Sequence, residues 1–392
     1  MHYLKNKINL FFIWNKPSSD IKKIIGMFLV WKSFLYIFLF LGFLFVPLGG
    51  KNFFGGGLER YNQYFYLLPW ANFDGEHYMS IAMNGYQSLE QAFFPLYPVL
   101  IYIGKWFFHN NFVVTATFGL IISNLALIGA LVFLYKLVRL DYSAKIGWIT
   151  IALLLFFPTS FYLGAVYTES LFLLLSVGTF YFARQEKWWI AALFGILACT
   201  TRVFGVLLLP ALLIDIFIYK KLFKKWYPIL LIPTGLLIYM IYLFFSVGDP
   251  FAFYNLQSII GEHRQKGIVL FPQVIYRYLN ILIHYQKIDI FLATFLLEFI
   301  TTLIFFVVPI LAYFKKVRLS YIFYSLISLL VPTVQGSFSS GSRYVLVIFP
   351  VFIMMALFFV KWPRIIQVLM FIVLSILLMF FSILFLRGYW VA

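Results

Sequence analysis

The sequence predicts an all-α polytopic membrane protein, and three observations lead there. Of its 392 residues, 64% are hydrophobic and 22% aromatic against only 11% charged, a composition outside that of soluble domains. The mean hydropathy is +0.96. Apolar runs recur along nearly the whole chain, near 24–47, 112–135, 146–163, 165–183, 227–246, 289–313, 319–336, 343–360 and 365–386, each close to the about 20 helical residues that cross a bilayer. Such continuous runs read as helices, because a backbone group left unpaired in lipid costs several kcal/mol and a helix pairs its own.

In chain order, the N-terminal MHYLKNKINLFFIWNKPSSDIKK has no small-residue cleavage site after its short apolar patch, so it reads as a basic cytoplasmic leader and not as a removable signal peptide. After the first span, residues 48–111 are expected to form a long external loop in which AFFPLYPVLIYIGKWFF is an apolar helix lying along or dipping into the membrane face. The stretch 188–219 is interrupted by Arg202 and Pro210, which fits two half-depth helices meeting near Thr201 and Arg202 better than one span. A second external loop, 247–288, opens VGDPFAF and carries Glu262, His263, Arg264, Lys266, Arg277 and Lys287. Basic clusters at Lys5/Lys7/Lys16/Lys22/Lys23, Lys136/Arg139/Lys145, Arg184/Lys187, Lys220/Lys221/Lys224/Lys225, Lys315/Lys316/Arg318 and Lys361/Arg364 all fall on the cytoplasmic side in this arrangement, as the positive-inside rule requires. No internal repeat or low-complexity linker stands out, so residues 1–392 read as one domain.

Charge and cysteine content exclude several function classes. The net charge of +17 sits in the loop clusters just named, an orientation signal and not a nucleic-acid face. The single cysteine, Cys199, permits neither a disulfide framework nor a cysteine metal site. There is no Walker motif, no GxGxxG opening a βα unit and no HExxH, so neither nucleotide hydrolysis nor a metal or other cofactor is expected. The substrate must then arrive already activated and already in the membrane.

Four segments carry polar groups that such a chain would not hold without reason. PWANFDGEHYMSIAMNGY, 69–86, sets Asp74, Glu76 and His77 side by side among aromatics; partial desolvation there suits a general base. On a helix starting at this point, Asp74 and His77 would share a face and Glu76 would point elsewhere, while the plainer reading makes Asp74 an N-cap. PTSFYLGAVYTESLF, 158–172, puts Glu169 at a boundary between two apolar runs, where it either faces a cavity or partner or simply caps a helix. Arg202, in ACTTRVFG, carries an insertion penalty of about 2.5–3.5 kcal/mol and needs an anionic companion, a ligand or a structural partner such as Glu169. In SFSSGSRYVLVIFP, 337–350, Arg343 and Tyr344 stand where a Gly/Ser loop enters a span; the guanidinium is suited to phosphate or to snorkelling.

Taken in order, FDGEHYMSIAMNGYQ with AFFPLYPVL, FPTSFYLGAVYTESLF, ACTTRVFGVLLLP and SGSRYVLVIFP, with GDPFAF opening the second loop, resemble the GPI mannosyltransferase 2 (PIG-V) family and its prokaryotic relatives, over roughly residues 70–350. The chain departs from that pattern at Phe73, where the family often has Trp, and at Val203, where it often has Ser. The resemblance implies a GT-C-type glycosyltransferase with about 10–12 transmembrane helices and two long external loops carrying juxtamembrane helices. It implies a polyprenyl-phosphate sugar donor, most simply mannose, and a glycolipid or cell-surface glycan acceptor. Such enzymes need no nucleotide at the site, and the chain's own motifs and charge pattern give no reason to expect a metal or nucleic acid there. Residue by residue, Asp74 becomes the general base, Glu76, His77, Tyr78 and Glu169 shape the acceptor side, and Arg202, Arg343 and Tyr344 face the donor phosphate. The resemblance further implies a multi-pass protein, in the plasma membrane if prokaryotic, with a cytoplasmic N-terminus and an external active site.

The rival reading is a lipid or glycolipid transporter or flippase, because many spans, a broken helix and buried charge also make a transport path. A transporter places its charges near the midplane between paired halves. Here the acidic cluster is expected in an external loop. A non-catalytic assembly subunit is the third reading, in which Asp74 is dispensable.

Overall fold

The computed structural model describes residues 19–50, 57–108, 111–218, 225–260 and 269–391. Glu262, His263, Arg264 and Lys266 of the second loop, Lys5, Lys7 and Lys16 of the leader, and Lys220, Lys221 and Lys224 lie outside the described residues. Every regular element among the described residues is helical. In order these are α1 (Ser19–Phe45), α2 (Gly57–Gln63), α3 (Asp74–Asn84), α4 (Leu96–Lys105), α5 (Phe112–Asp141), α6 (Ala144–Leu155), α7 (Glu169–Arg184), α8 (Trp188–Cys199), α9 (Leu208–Ile218), α10 (Thr234–Val247), α11 (Ala252–Asn255), α12 (Gln257–Ile260), α13 (Phe271–His284), α14 (Ile290–Tyr313), α15 (Leu319–Thr333), α16 (Gly341–Tyr344), α17 (Phe349–Phe359) and α18 (Arg364–Leu386).

Length and composition make a multi-pass integral membrane protein of this chain. Five helical segments among the described residues are long and apolar enough to cross a bilayer alone, namely α1, α5, Tyr227–Val247, α14 and α18. The pair Gly341–Val347 and Phe349–Phe359, bent by 84°, makes a sixth if its two pieces count as one broken span and not as a re-entrant loop. The remaining apolar sequence, for which full spans were expected at 146–163, 165–183 and 319–336, forms shorter helices. The reason is local. Pro158 closes off α6, and Thr159, Ser160, Gly164 and Thr168 keep 156–168 irregular up to the start of α7. Backbone of this kind survives at depth only when buried in protein with its polar groups paired. Here Val166 N–H donates to Trp70 O at 2.9 Å, Ser170 Oγ to Leu163 O at 2.5 Å and Tyr167 OH to Asn72 O at 2.7 Å.

The expected break at Arg202 is present. α8 stops at Cys199, a tight turn covers Val203–Leu207, and α9 follows. Close approach needs glycine at two points there: a Cβ on Gly205 would lie 2.5 Å from Cys199 N, and one on Gly235 of α10 would lie 2.1 Å from Ile196 O. α4 is the apolar first-loop helix and is too short to span; it packs through Tyr97 and Ile101 and leaves Tyr102, Ile103 and Trp106 uncovered.

Charge separates the two ends of the bundle. Arg184, ending α7, forms a two-pronged pair with Asp141, ending α5, at 2.6 and 2.8 Å. Arg318, before α15, approaches Asp141 at 3.5 Å and Asp215 of α9 at 3.4 Å. The other end of α7 is Glu169, about 24 Å away along the helix axis.

Candidate active site

The irregular connector 156–168 is the frame on which the site is built. Through Trp70 and Asn72 it holds the segment leading into α3, and through Thr159 Oγ1, which donates to Ser342 O at 2.6 Å, it holds the turn α16. Asn72 is fixed from the far side as well, donating from Nδ2 to Phe385 O at 2.9 Å. Gly75 lets α3 come down onto Val166 O, which would stand 3.2 Å from a Cβ there. Sequence-distant segments therefore converge at the N-terminus of α3.

Asp74 is the first residue of α3 and not its cap. Phe73 occupies the cap position in a left-handed conformation (φ 59°) and no side chain caps the helix. The N-cap role is thereby replaced: Asp74 Oδ2 accepts from Arg343 Nη1 at 2.6 Å. Glu169 Oε1 accepts from Arg202 Nη2 and stands 3.5 Å from Arg343 Nε, an electrostatic contact and not a hydrogen bond. Arg202 Nε donates to Thr168 Oγ1 at 2.9 Å. Two carboxylates and two guanidiniums thus alternate as Asp74, Arg343, Glu169, Arg202. Glu169 is wholly buried, whereas the Asp74 side chain keeps 22% exposure. Glu169 Oε2 and Arg202 Nη1 are buried without a hydrogen-bond partner, a costly arrangement for charged groups.

Rings complete the guanidinium surroundings. Arg343 lies over Tyr344, Tyr167 and Tyr162 at 5.1, 5.5 and 5.7 Å, and Arg202 over Tyr344 at 5.7 Å, the range of cation–π attraction. Tyr78 OH is 3.3 Å from Thr168 Oγ1; burial raises its phenol above the ordinary range, so it stays protonated at neutral pH. His77 stacks on Phe93 with centroids 4.8 Å apart, and its Nδ1 is 3.7 Å from Glu90 Oε1. The Glu90 carboxylate raises the His77 pKa against the opposing effect of burial. Burial works to raise Glu90, but His77 and the Gln87 N–H outweigh it and leave Glu90 below its ordinary value.

All of this faces a cavity of about 1060 Å³, at the upper end of small-molecule sites. Asp74, Glu76, His77, Tyr78, Arg202, Arg343 and Tyr344 line it, while Glu169 sits behind the two arginines. Glu76, expected to point elsewhere, reaches the same cavity as Asp74 and His77. Both were on the first turn of α3, and a cavity wraps around a helix N-terminus on more than one face. Phe253, Tyr254, Ile290, Phe291, Val331 and Pro332 add largely apolar surface to the lining.

Residues 59–225 match the family model described as Mannosyltransferase (PIG-V). Over these residues the chain is similar to PIG-V mannosyltransferases. Asp74, Glu76, His77, Tyr78, Glu169 and Arg202 lie inside the PIG-V match, and Arg343 and Tyr344 beyond it. The match supports a glycosyltransferase. Among solved structures, an oligosaccharyltransferase of Archaeoglobus fulgidus tethered to an acceptor peptide containing the NVT sequon superposes with a TM-score of 0.46 and 13% identity, over 92% of this chain and 55% of that one. The apo form of the Archaeoglobus fulgidus enzyme gives 0.45, 12%, 92% and 56%. The chain thus spans about half the length of these solved chains. No curated protein matches it.

Three groups important to this geometry were not singled out in the sequence. Glu298 of α14 is buried and accepts from Ser340 N–H at 2.8 Å and from Tyr278 OH at 3.3 Å; Ser340, in a left-handed conformation (φ 62°), opens the turn bearing Arg343. Lys32 of α1 donates to Gly164 O at 2.9 Å and lies 4.3 Å over the Trp70 ring, tying the connector to the segment that leads into α3. Glu90 partners His77. For Glu298 and Lys32 a signal existed, since each is an ionisable residue inside an apolar run. Glu90 has no such mark.

Proposed function

We propose that the chain is an inverting glycosyltransferase of GT-C type that moves a hexose, mannose by family likeness, from a polyprenyl-phosphate donor to a hydroxyl of a lipid-linked or cell-surface glycan. The observation that carries this reading is the alternating set Asp74, Arg343, Glu169, Arg202, of which Asp74, Arg343 and Arg202 line one cavity and Glu169 backs the two arginines. Asp74 takes the acceptor proton, the acceptor oxygen bonds to C1 of the sugar, and the C1–O bond to phosphate breaks. The lipid phosphate leaves with one more negative charge.

Charge balance supports the assignment. In the resting site each guanidinium is matched by a carboxylate. An arriving phosphodiester competes with Asp74 for Arg343 and meets Arg202, which lines the same cavity. As Asp74 is protonated, Arg343 becomes free to follow the charge growing on the leaving phosphate, stabilisation that strengthens in the transition state and therefore accelerates the step. The apolar part of the lining at Phe253, Ile290 and Val331 suits the prenyl chain. An external active face and a cytoplasmic N-terminus are supported by Arg184, Arg318 and Lys145 gathering at the end of the bundle away from the cavity.

The deciding experiment is transfer by the purified protein in lipid, from polyprenyl-phosphate mannose to a membrane-lipid extract, with Arg202→Lys alongside the wild type. Transfer with donor use weakened in the variant is expected, because lysine cannot reproduce the guanidinium fork. Donor binding without transfer, across several polyprenyl-phosphate sugars, would instead favour the flippase reading.

A further inference from the structure

The segment following α18 forms a wall of the cavity that the reaction just described does not use. Gly388 adopts φ 78° and turns the chain back, and Gly49 N–H donates to Arg387 O at 2.8 Å while Arg387 Nε donates to Val46 O at 2.8 Å. The Tyr389 ring fills the space beside Gly49, where a Cβ would be 2.7 Å away, and Val391 is fully buried. Trp390, between these two anchored neighbours, is turned into the cavity and is 46% exposed. Its ring meets Phe73 edge to face, at 5.3 Å and 89°, and Phe73 leans in turn on Phe385 at 5.9 Å. Phe73 is the residue before Asp74.

A large indole whose backbone is fixed on both sides, but which is left half uncovered inside a cavity, gains free energy from any apolar surface that lies on it. The surroundings select the kind of surface. Through Phe73, the residue before Asp74, the ring is tied to the carboxylate end of the cavity that Asp74 and Glu76 line, so a ligand spanning the two offers C–H surface to the indole and hydroxyl groups to the carboxylates. A pyranose has both. An alkyl chain offers only the first, and the part of the wall at Phe253, Ile290 and Phe291 suits it better.

We infer that Trp390 is the stacking platform of a pyranose subsite adjoining Asp74, held in place by Phe73, Tyr389 and Val391. That the ring belongs to the acceptor rests on the glycosyl-transfer reading; that a pyranose binds here does not.

The test uses the whole protein in lipid nanodiscs, with methyl α-D-mannopyranoside as probe and 1-octanol as the apolar comparison, read by saturation transfer to the probe protons. Saturation of the sugar C–H protons is expected in the wild type. It should fall about fivefold in Trp390→Ala, the equivalent of a stacking contribution of about 1 kcal/mol, and stay within about twofold in Trp390→Tyr, which keeps a ring. Absence of saturation in the wild type, or equal saturation in Trp390→Ala, overturns the subsite. So does Trp390-dependent saturation of octanol in place of the sugar. Trp390-dependent sugar binding in a protein that transfers nothing would uphold the subsite and remove the glycosyl-transfer reading. Transfer with an unchanged acceptor KM in Trp390→Ala would keep the glycosyl-transfer reading and overturn the assignment of the bound ring to the acceptor.

Discussion

Asp74 and Arg343 are 269 residues apart in the chain and 2.6 Å apart in the fold. This contact joins the first-loop carboxylate to a guanidinium delivered by the broken helix near the C-terminus, and makes each the resting counter-charge of the other. Asp74→Asn keeps the shape and an acceptor oxygen for Arg343 but removes the basic site. The expected outcome is a fall in transfer of about 10²–10⁴-fold, with an unfolding temperature close to the wild type. Initial rates with polyprenyl-phosphate mannose, beside a thermal melt, check this; a rate within twofold of wild type would show that Asp74 is not the base.

Glu169 answers for two cations at once and has no exposure of its own. Glu169→Gln leaves Arg202 and Arg343 with one carboxylate between them, on the Asp74 side. Breaking a buried pair by removing one partner costs about 3–5 kcal/mol. The variant should therefore melt well below Asp74→Asn in the same detergent. Matching melting curves would mean that Arg202 is held chiefly by Thr168 and the Tyr344 ring.

Much of the fold was legible in the sequence because a membrane imposes simple rules. Runs near 24–47, 112–135, 289–313 and 365–386 became α1, α5, α14 and α18, each apolar enough to satisfy the bilayer without help from its neighbours. The runs at 146–163 and 165–183 were equally apolar but carry Pro158, Thr159 and Ser160, with Gly164 between the two runs. Hydropathy cannot distinguish residues that interrupt a helix from residues that a helix tolerates; the distinction depends on Trp70, Asn72 and Ser342 arriving to pair the freed backbone. The break at Arg202 was readable because charge and Pro210 coincide. Pairing was not: Arg202 offered Glu169 as one partner among several, and nothing in the chain joined Arg343 to Asp74.

Glu298 tests whether the turn bearing Arg343 must be held from α14. Glu298→Gln retains an acceptor for Ser340 N–H, so activity near the wild type is expected. Glu298→Ala leaves that buried N–H unpaired, at about 1–3 kcal/mol, and frees the turn. Transfer should fall, and amide exchange should quicken at residues 336–341 before it does elsewhere. Uniformly faster exchange across the chain would make Glu298 a general stabiliser and not a support for Arg343.

His77 and Glu90 give the site a pH signature. The His77 pKa is raised from 6.5, so its stabilising contribution is complete below the unfolded-state value and is lost as pH rises through the higher folded-state value. Glu90 is lowered from 4.5, so its contribution is present above that value and is lost as pH falls through the lower folded-state one. The pair therefore stabilises the protein in the interval between the depressed carboxylate and the raised imidazole, and weakens above it. Because the His77 side chain is 36% exposed, salt should shrink the effect, as it does for any pair open to solvent. Melting temperatures from about pH 4 to about pH 9, a range bracketing both ordinary values, should decline on the alkaline side in the wild type and decline less in His77→Gln. An identical alkaline slope in the variant would assign the decline to other groups and leave His77 as a stacking partner of Phe93.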